Sequence, residues 1–141
     1  MEEAVPDGKG AMAAVLGMEV SQIEKVLSKI EGAYIANYNC PGQIVITGMK
    51  EAVDKACEAL KEAGCKRCLP LKVSGPFHSP FLKEAGEKLG EFMEETELHA
   101  LEIPYVTNVT AEYVRDIDET KDLLVRQVAS SVKWIQSVER M

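Results

Sequence analysis

The stretch MKEAVDKACEALKEAG, residues 49 to 64, constrains the fold more than any other part of the sequence. Met49, Val53, Ala56, Cys57 and Leu60 recur at spacings that place them on one face of a helix, and Gly64 stands where that helix can end. A helix with a single apolar stripe must lay the stripe on something. The candidates flank it: QIVITG (43–48) is rich in β-branched residues, and KRCLPLKV (66–73) reads as another extended run.

The same order occurs upstream. GAMAAVLGM (10–18) is an apolar run of strand length, and VSQIEKVLSKI (20–30) carries Val20, Ile23, Leu27 and Ile30 on one helical stripe. Ser21 and Glu24 have the S-x-x-E spacing of a capping box, in which each side chain satisfies a free backbone donor. AYIANYN (33–39) looks extended and CPG turns, with a hairpin to QIVITG left open. Strand-helix-strand twice over is a split β-α-β arrangement of ferredoxin-like type, with two helices covering one face of a four-stranded sheet. That unit is expected over residues 9–74, within an α+β chain.

The second half does not repeat the pattern. Ser79 is placed to cap a helix with Pro80 at its first position, where a missing N–H costs nothing. Phe81, Leu82, Ala85, Leu89, Phe92 and Met93 then give a helical face. IPYVTNVTAEYV (103–114) reads as a strand, a polar turn and a short strand; Leu123, Leu124 and Val128 suggest another helix, and Trp134, Ile135, Val138 and Met141 a last one. That last helix stops in mid-pattern without a cap, so the chain is expected to be a piece of something longer.

Composition narrows the function classes. Hydrophobic residues make up 46% and charged residues 28% of the 141, which suits a globular protein. No apolar run approaches the roughly 18 residues of a membrane span, and the acidic opening MEEAVPDGKG is unlike a signal peptide, so a cytoplasmic location is expected. A net charge of −7 disfavours a nucleic-acid partner. Two local basic groups, Lys61, Lys66, Arg67 and Lys72, then Lys121, Arg126 and Lys133, could meet a phosphate or an acidic protein, or simply form solvated faces. The spacing of Cys65 and Cys68 resembles half a metal or redox motif, but no second pair follows and the run reads as extended. In a strand those thiols would diverge, so all four cysteines are expected to be free, and no metal or cofactor is expected.

VSGPFHSPF (73–81) is the sharpest chemical feature. His78 is held between Pro76 and Pro80 where an apolar stretch gives way to a helix, a stiff placement suited to a general base or to a residue serving the turn. No G-x-S-x-G nucleophile elbow is present, and GKG (8–10) precedes a strand instead of following one, so it is not a nucleotide loop. His99, in a polar stretch, is expected to be exposed.

MEEAVPDGKGAMAAVLGM, NYNCPGQIVITG, KRCLPLKVSGPFHSPFL and LLVRQVASSVKWIQSVERM, in this order, closely resemble the malonyl-CoA:acyl carrier protein transacylases of fatty acid synthesis. They are similar, more distantly, to the acyltransferase domains of polyketide synthases. The resemblance implies a ferredoxin-like small subdomain (9–74) followed by part of a larger α/β-hydrolase-like acyltransferase subdomain (75–141). It implies a serine that takes malonyl from malonyl-CoA and yields it to the thiol of acyl carrier protein, with no cofactor. His78 corresponds to the family's catalytic base, and Gln127 to the glutamine whose backbone carbonyl orients the imidazole. Asn39 corresponds to an asparagine near the malonyl pocket, with Asn37, Pro41, Gly42 and Gln43 shaping its loop. Phe77 and Ser79, on either side of the histidine, join Asn39 as expected substrate-binding residues.

The departures from the family pattern matter as much. The nucleophile motif, an oxyanion-hole glutamine, a carboxylate-binding arginine and a final glycine-rich segment have no counterpart in the sequence. The chain alone is therefore expected to be inactive. The alternative is a non-catalytic ferredoxin-like module that binds acyl carrier protein or self-associates through exposed apolar surface.

Overall fold

The computed structural model describes residues 5, 6 and 8–141, so Met1–Ala4 and Asp7 of the family-like opening stretch lie outside the described residues. Strand β1 (Gly10–Leu16), helix α1 (Val20–Leu27), strands β2 (Ala33–Cys40) and β3 (Gln43–Met49), helix α2 (Lys50–Glu62) and strand β4 (Arg67–Pro70) follow one another. The four strands form one antiparallel sheet in the order β2-β3-β1-β4. The hairpin left open by the sequence forms: β2 pairs with β3 from Ala33↔Gly48 to Cys40↔Gln43 around the Pro41–Gly42 turn.

Period-two alternation divides the strands between two cores. Ala13, Val15, Ile35, Ile44 and Ile46 face α1 and α2, where they meet Ile23, Leu27, Val53, Ala56 and Leu60. The intervening Met12, Ala36 and Val45 face the other way, where Phe77 packs on them. Removing a side chain such as Ile44 or Ile46 from water contributes about 1.5–3 kcal/mol. The stripe of α2 is thus buried as its spacing demands. Gly64, at φ +100°, ends the helix, with Cys65 N donating to the Leu60 carbonyl at 3.0 Å and Gly64 N to Lys61 at 3.1 Å.

Three expectations are corrected. The Ser21–Glu24 capping box does not form, because α1 begins at Val20 with Glu19 as its N-cap, which puts Ser21 inside the first turn. The cysteines are not all free: Cys57 on α2 is disulfide-bonded to Cys68 on β4 across a Cα separation of 5.6 Å. β4 begins only at Arg67, so Cys65 belongs to the turn before it and is buried in the same core as Cys68 rather than on the opposite face. Finally, 103–114 is a turn held by a single antiparallel bridge, Val106↔Tyr113, with Ala111 N donating to Thr107 O at 2.8 Å.

The remaining chain is helical. A 3₁₀ turn (Pro80–Leu82) opens α3 (Lys83–Glu94), and α4 (Asp118–Ala129) and α5 (Trp134–Arg140) follow. α3 packs on α4 through Gly86, where an added Cβ would come within 2.8 Å of the Val125 carbonyl. Val109, Val114 and Leu123 form a small separate core. The second half joins the sheet between α4 and α5: Val132 N donates to Ala36 O at 2.7 Å, and Tyr38 N to Val132 O at 2.9 Å. This makes a parallel bridge, Asn37↔Val132, on the free edge of β2. Among the described residues no helix is long and apolar enough to cross a membrane.

Candidate active site

His78 sits in the connector between β4 and the 3₁₀ turn with φ +54°, in the left-handed region that side chains other than glycine seldom occupy. Such a conformation costs on the order of 1–3 kcal/mol and persists only where its surroundings enforce it. Two neighbours enforce it here. Pro76 is buried against Gly10, where any side chain would collide with its ring. Ser79 is fully buried, and its Oγ donates to the Pro76 carbonyl, clamping the turn from the other side.

The imidazole of His78 reaches across to α4. Its Nδ1 lies 3.2 Å from the backbone oxygen of Gln127. A carbonyl can only accept, so Nδ1 must carry the proton in this contact, which leaves Nε2 of the neutral ring with its lone pair. Gln127 lies in the last turn of α4, at the negative end of the helix dipole, and its carbonyl takes only a long 3.4 Å bond from the C-cap Ser130 N besides the histidine. The end of α4 is itself fixed. Gln127 Nε2 donates to Ser130 O at 3.3 Å, and Ser131 Oγ donates to Ile35 O at 2.6 Å, alongside the Val132 bridge.

His78 lines a cleft of about 670 Å³ between α1, the edge of β2 and the α4–α5 junction. Glu24, Tyr38, Arg126, Ser131 and Lys133 contribute polar groups to it. Tyr38 Oη donates to Glu24 Oε1 at 3.1 Å, and burial, the Glu24 charge and that hydrogen bond push the phenol up to about 12. Arg126 pairs with Asp122 at 3.2 Å one turn earlier on α4, with both side chains more than half exposed.

The sequence-derived site residues are divided by the fold. His78 and Gln127 come together. Asn39 is the unpaired residue of a β-bulge between Tyr38 and Cys40, half-buried beside the hairpin turn, and does not line the His78 cleft. Phe77 points to the opposite face of the sheet, against Met12, Ala36 and Val45. Ser79 is enclosed beneath the turn, with its hydroxyl engaged. No sequence motif marks Tyr38 or Glu24 as a site residue, although Tyr38 sits between Asn37 and Asn39, and Arg126 and Lys133 stand out in the sequence only as basic residues. Among the described residues no cluster of His, Cys, Asp and Glu could hold a metal ion.

No protein-family model matches the chain. A malonyl CoA-acyl carrier protein transacylase of Bacillus subtilis is 43% identical over 145 residues, covering all of this chain and 46% of the relative. Its counterpart in Escherichia coli K12 is 44% identical over 144 residues, covering all of this chain and 47% of that protein. The crystal structure of an acyl carrier protein S-malonyltransferase from Vibrio cholerae superposes with a TM-score of 0.96 at 42% identity, over 99% of this chain and 46% of the other. A type II PKS acyl-carrier protein in complex with its malonyl-transacylase gives 0.94 at 38% identity, over 98% and 46%. The chain spans about half the length of the curated relatives it matches. Over its whole length in sequence, and over 99% of it in fold, the chain is similar to the malonyl CoA-acyl carrier protein transacylases.

Proposed function

We propose that this chain supplies the general base and part of the acyl cleft of an enzyme that moves malonyl from coenzyme A to the phosphopantetheine thiol of acyl carrier protein. The observation that carries the reading is the contact between His78 Nδ1 and the Gln127 carbonyl. It leaves Nε2 able to accept a proton from a serine hydroxyl, and a fixed carbonyl holds the tautomer as a carboxylate would. The serine oxygen then bonds the malonyl carbon, the carbon–sulfur bond breaks, and the coenzyme A thiolate leaves with the proton from the imidazolium. The carrier-protein thiol reverses these steps on the seryl ester.

The sequence lacks a G-x-S-x-G motif, so the serine belongs to the part of the relatives' length that this chain does not span. Within this reading residues 9–74 are a ferredoxin-like subdomain, supported by the antiparallel order β2-β3-β1-β4 with both helices on one face, and residues 75–141 belong to an α/β-hydrolase-like subdomain. Phe77 and Ser79 support the turn that presents the base, Asn39 lies at the bulge near the acyl pocket, and the location is cytoplasmic. The alternative of a non-catalytic module fits less well, because the homologues are transferases.

The test is a chimera in which this sequence replaces the matching stretch of the Bacillus subtilis relative. Malonyl transfer to acyl carrier protein is expected, and His78→Ala should lower kcat by about 10²-fold or more. Full activity of that variant, or a stoichiometric malonyl ester on the present chain by itself, would overturn the reading.

A further inference from the structure

The fold brings Cys57 and Cys68 together at the weakest edge of the sheet. Cys57 lies on the buried face of α2, and Cys68 is the one buried residue of β4. β4 has four residues, pairs only with β1, and ends at Pro70, which has no N–H to give. Few backbone bonds therefore hold this strand, and the α2–β4 disulfide spans 11 positions at a Cα separation ordinary for such bonds.

Cys57, although buried, borders open space. It lines a pocket of about 310 Å³ between α2 and the segment after β4, together with Lys50, Asp54, Leu71, Val73 and Ser74. The same segment leads into the turn that carries His78: Leu71 N donates to Met12 O at 2.9 Å, and Pro76 packs on Gly10. Whatever loosens β4 loosens the N-terminal support of that turn.

We propose that Cys57 and Cys68 are a reversible redox modification site, a dithiol–disulfide pair addressed by small thiols through this pocket, whose state sets the order of β4 and the connector to His78. The chemistry balances with glutathione disulfide as oxidant. One cysteine thiolate attacks it, and a mixed disulfide forms as one glutathione leaves as thiol. The second cysteine then attacks the protein sulfur and releases the other glutathione, so two electrons and two protons pass to the pair of glutathiones. Reduced glutathione drives the reverse. Cys40, exposed, and Cys65, buried in the same core, are the spectator thiols.

The folded chain is equilibrated at graded ratios of reduced to oxidised glutathione, acid-quenched, and labelled with a mass-tagged maleimide. Under oxidising buffer Cys65 should take a tag, exposed Cys40 either a tag or one glutathione, and Cys57 and Cys68 should appear as a linked peptide; under reducing buffer four tags are expected. Hydrogen exchange run in parallel should show the amides of β4 and Leu71 exchanging roughly tenfold faster on reduction, with α3 unchanged. The Cys57→Ala/Cys68→Ala double variant should show the faster rates in every buffer; if it does not fold, the reduced wild-type chain supplies the same readout. Four tags at every ratio, a different pairing, unchanged exchange at Leu71, or loss of protection throughout the chain on reduction each overturn the proposal. None of these readouts depends on acyl transfer, so the result stands apart from the proposed activity.

Discussion

The backbone carbonyl of Gln127 meets Nδ1 of His78 at 3.2 Å although 49 positions separate the two residues. The contact exists because two separate anchors converge: the proline-braced turn after β4 and the α4–α5 junction bonded to the edge of β2.

A carbonyl belongs to the main chain, so the side chain of Gln127 is dispensable for orienting the histidine. In the chimeric enzyme Gln127→Ala should retain kcat within about threefold, the loss coming from the weak bond to Ser130 O. A loss comparable to that of His78→Ala, measured in the same malonyl-transfer assay, would show that the side chain and not the carbonyl matters.

The left-handed backbone at His78 should read out as a conflict between stability and function. Glycine accepts φ +54° without strain, so His78→Gly should match or exceed the parent stability in urea unfolding, while His78→Val should lose about 1–3 kcal/mol. Ser79→Ala removes the clamp on the Pro76 carbonyl and should cost about 1–2 kcal/mol.

The Tyr38 phenol is raised from 10.0 to about 12 by burial first and by Glu24 second. Below pH 10 both folded and unfolded chains hold the proton, and the contribution to stability is whole. Between pH 10 and 12 the unfolded chain ionises while the folded one does not, so stability falls as pH rises. Urea unfolding of Tyr38→Phe should show a shallower decline over that window, and an identical decline would contradict the assignment. Tyr38 is only partly shielded from water, so the difference in slope should be small.

Phe92 and Ile103 are 80% and 79% exposed, and Trp134, Val138 and Met141 are also exposed. Apolar side chains displayed in this number favour association. Sedimentation should show concentration-dependent self-association of the isolated chain, weakened in a Phe92→Glu/Ile103→Glu variant. A monomer at every concentration would sink this expectation.

The first half was legible because its signals are local. The stripe from Met49 to Leu60, Gly64 as its stop and the β-branched run from Ile44 to Thr47 each encode an element through their own spacing. The capping box at Ser21 misled because a motif of two residues does not say where the helix around it begins. The cysteines misled for a related reason. Cys65 and Cys68 are near in sequence, but the bond runs from Cys68 to Cys57, which only the packing of α2 over β4 brings close. In 103–114 the two strand-like runs do meet, but only through the bridge Val106↔Tyr113, and among the described residues neither joins the sheet.

His78 itself could be singled out from its two prolines, and a resemblance in motifs could pair it with Gln127. Neither could show that Phe77 and Ser79, its immediate neighbours, turn away from the cleft, nor that Tyr38 and Glu24 enter it. The sequence by itself determined the strand-helix-strand order and the stiff turn around His78, because periodicity and proline act over a few residues. Only the tertiary structure decided which side chains share the cleft, which thiols meet and which carbonyl holds the imidazole, because those depend on how far-separated segments are brought together by the burial of apolar surface.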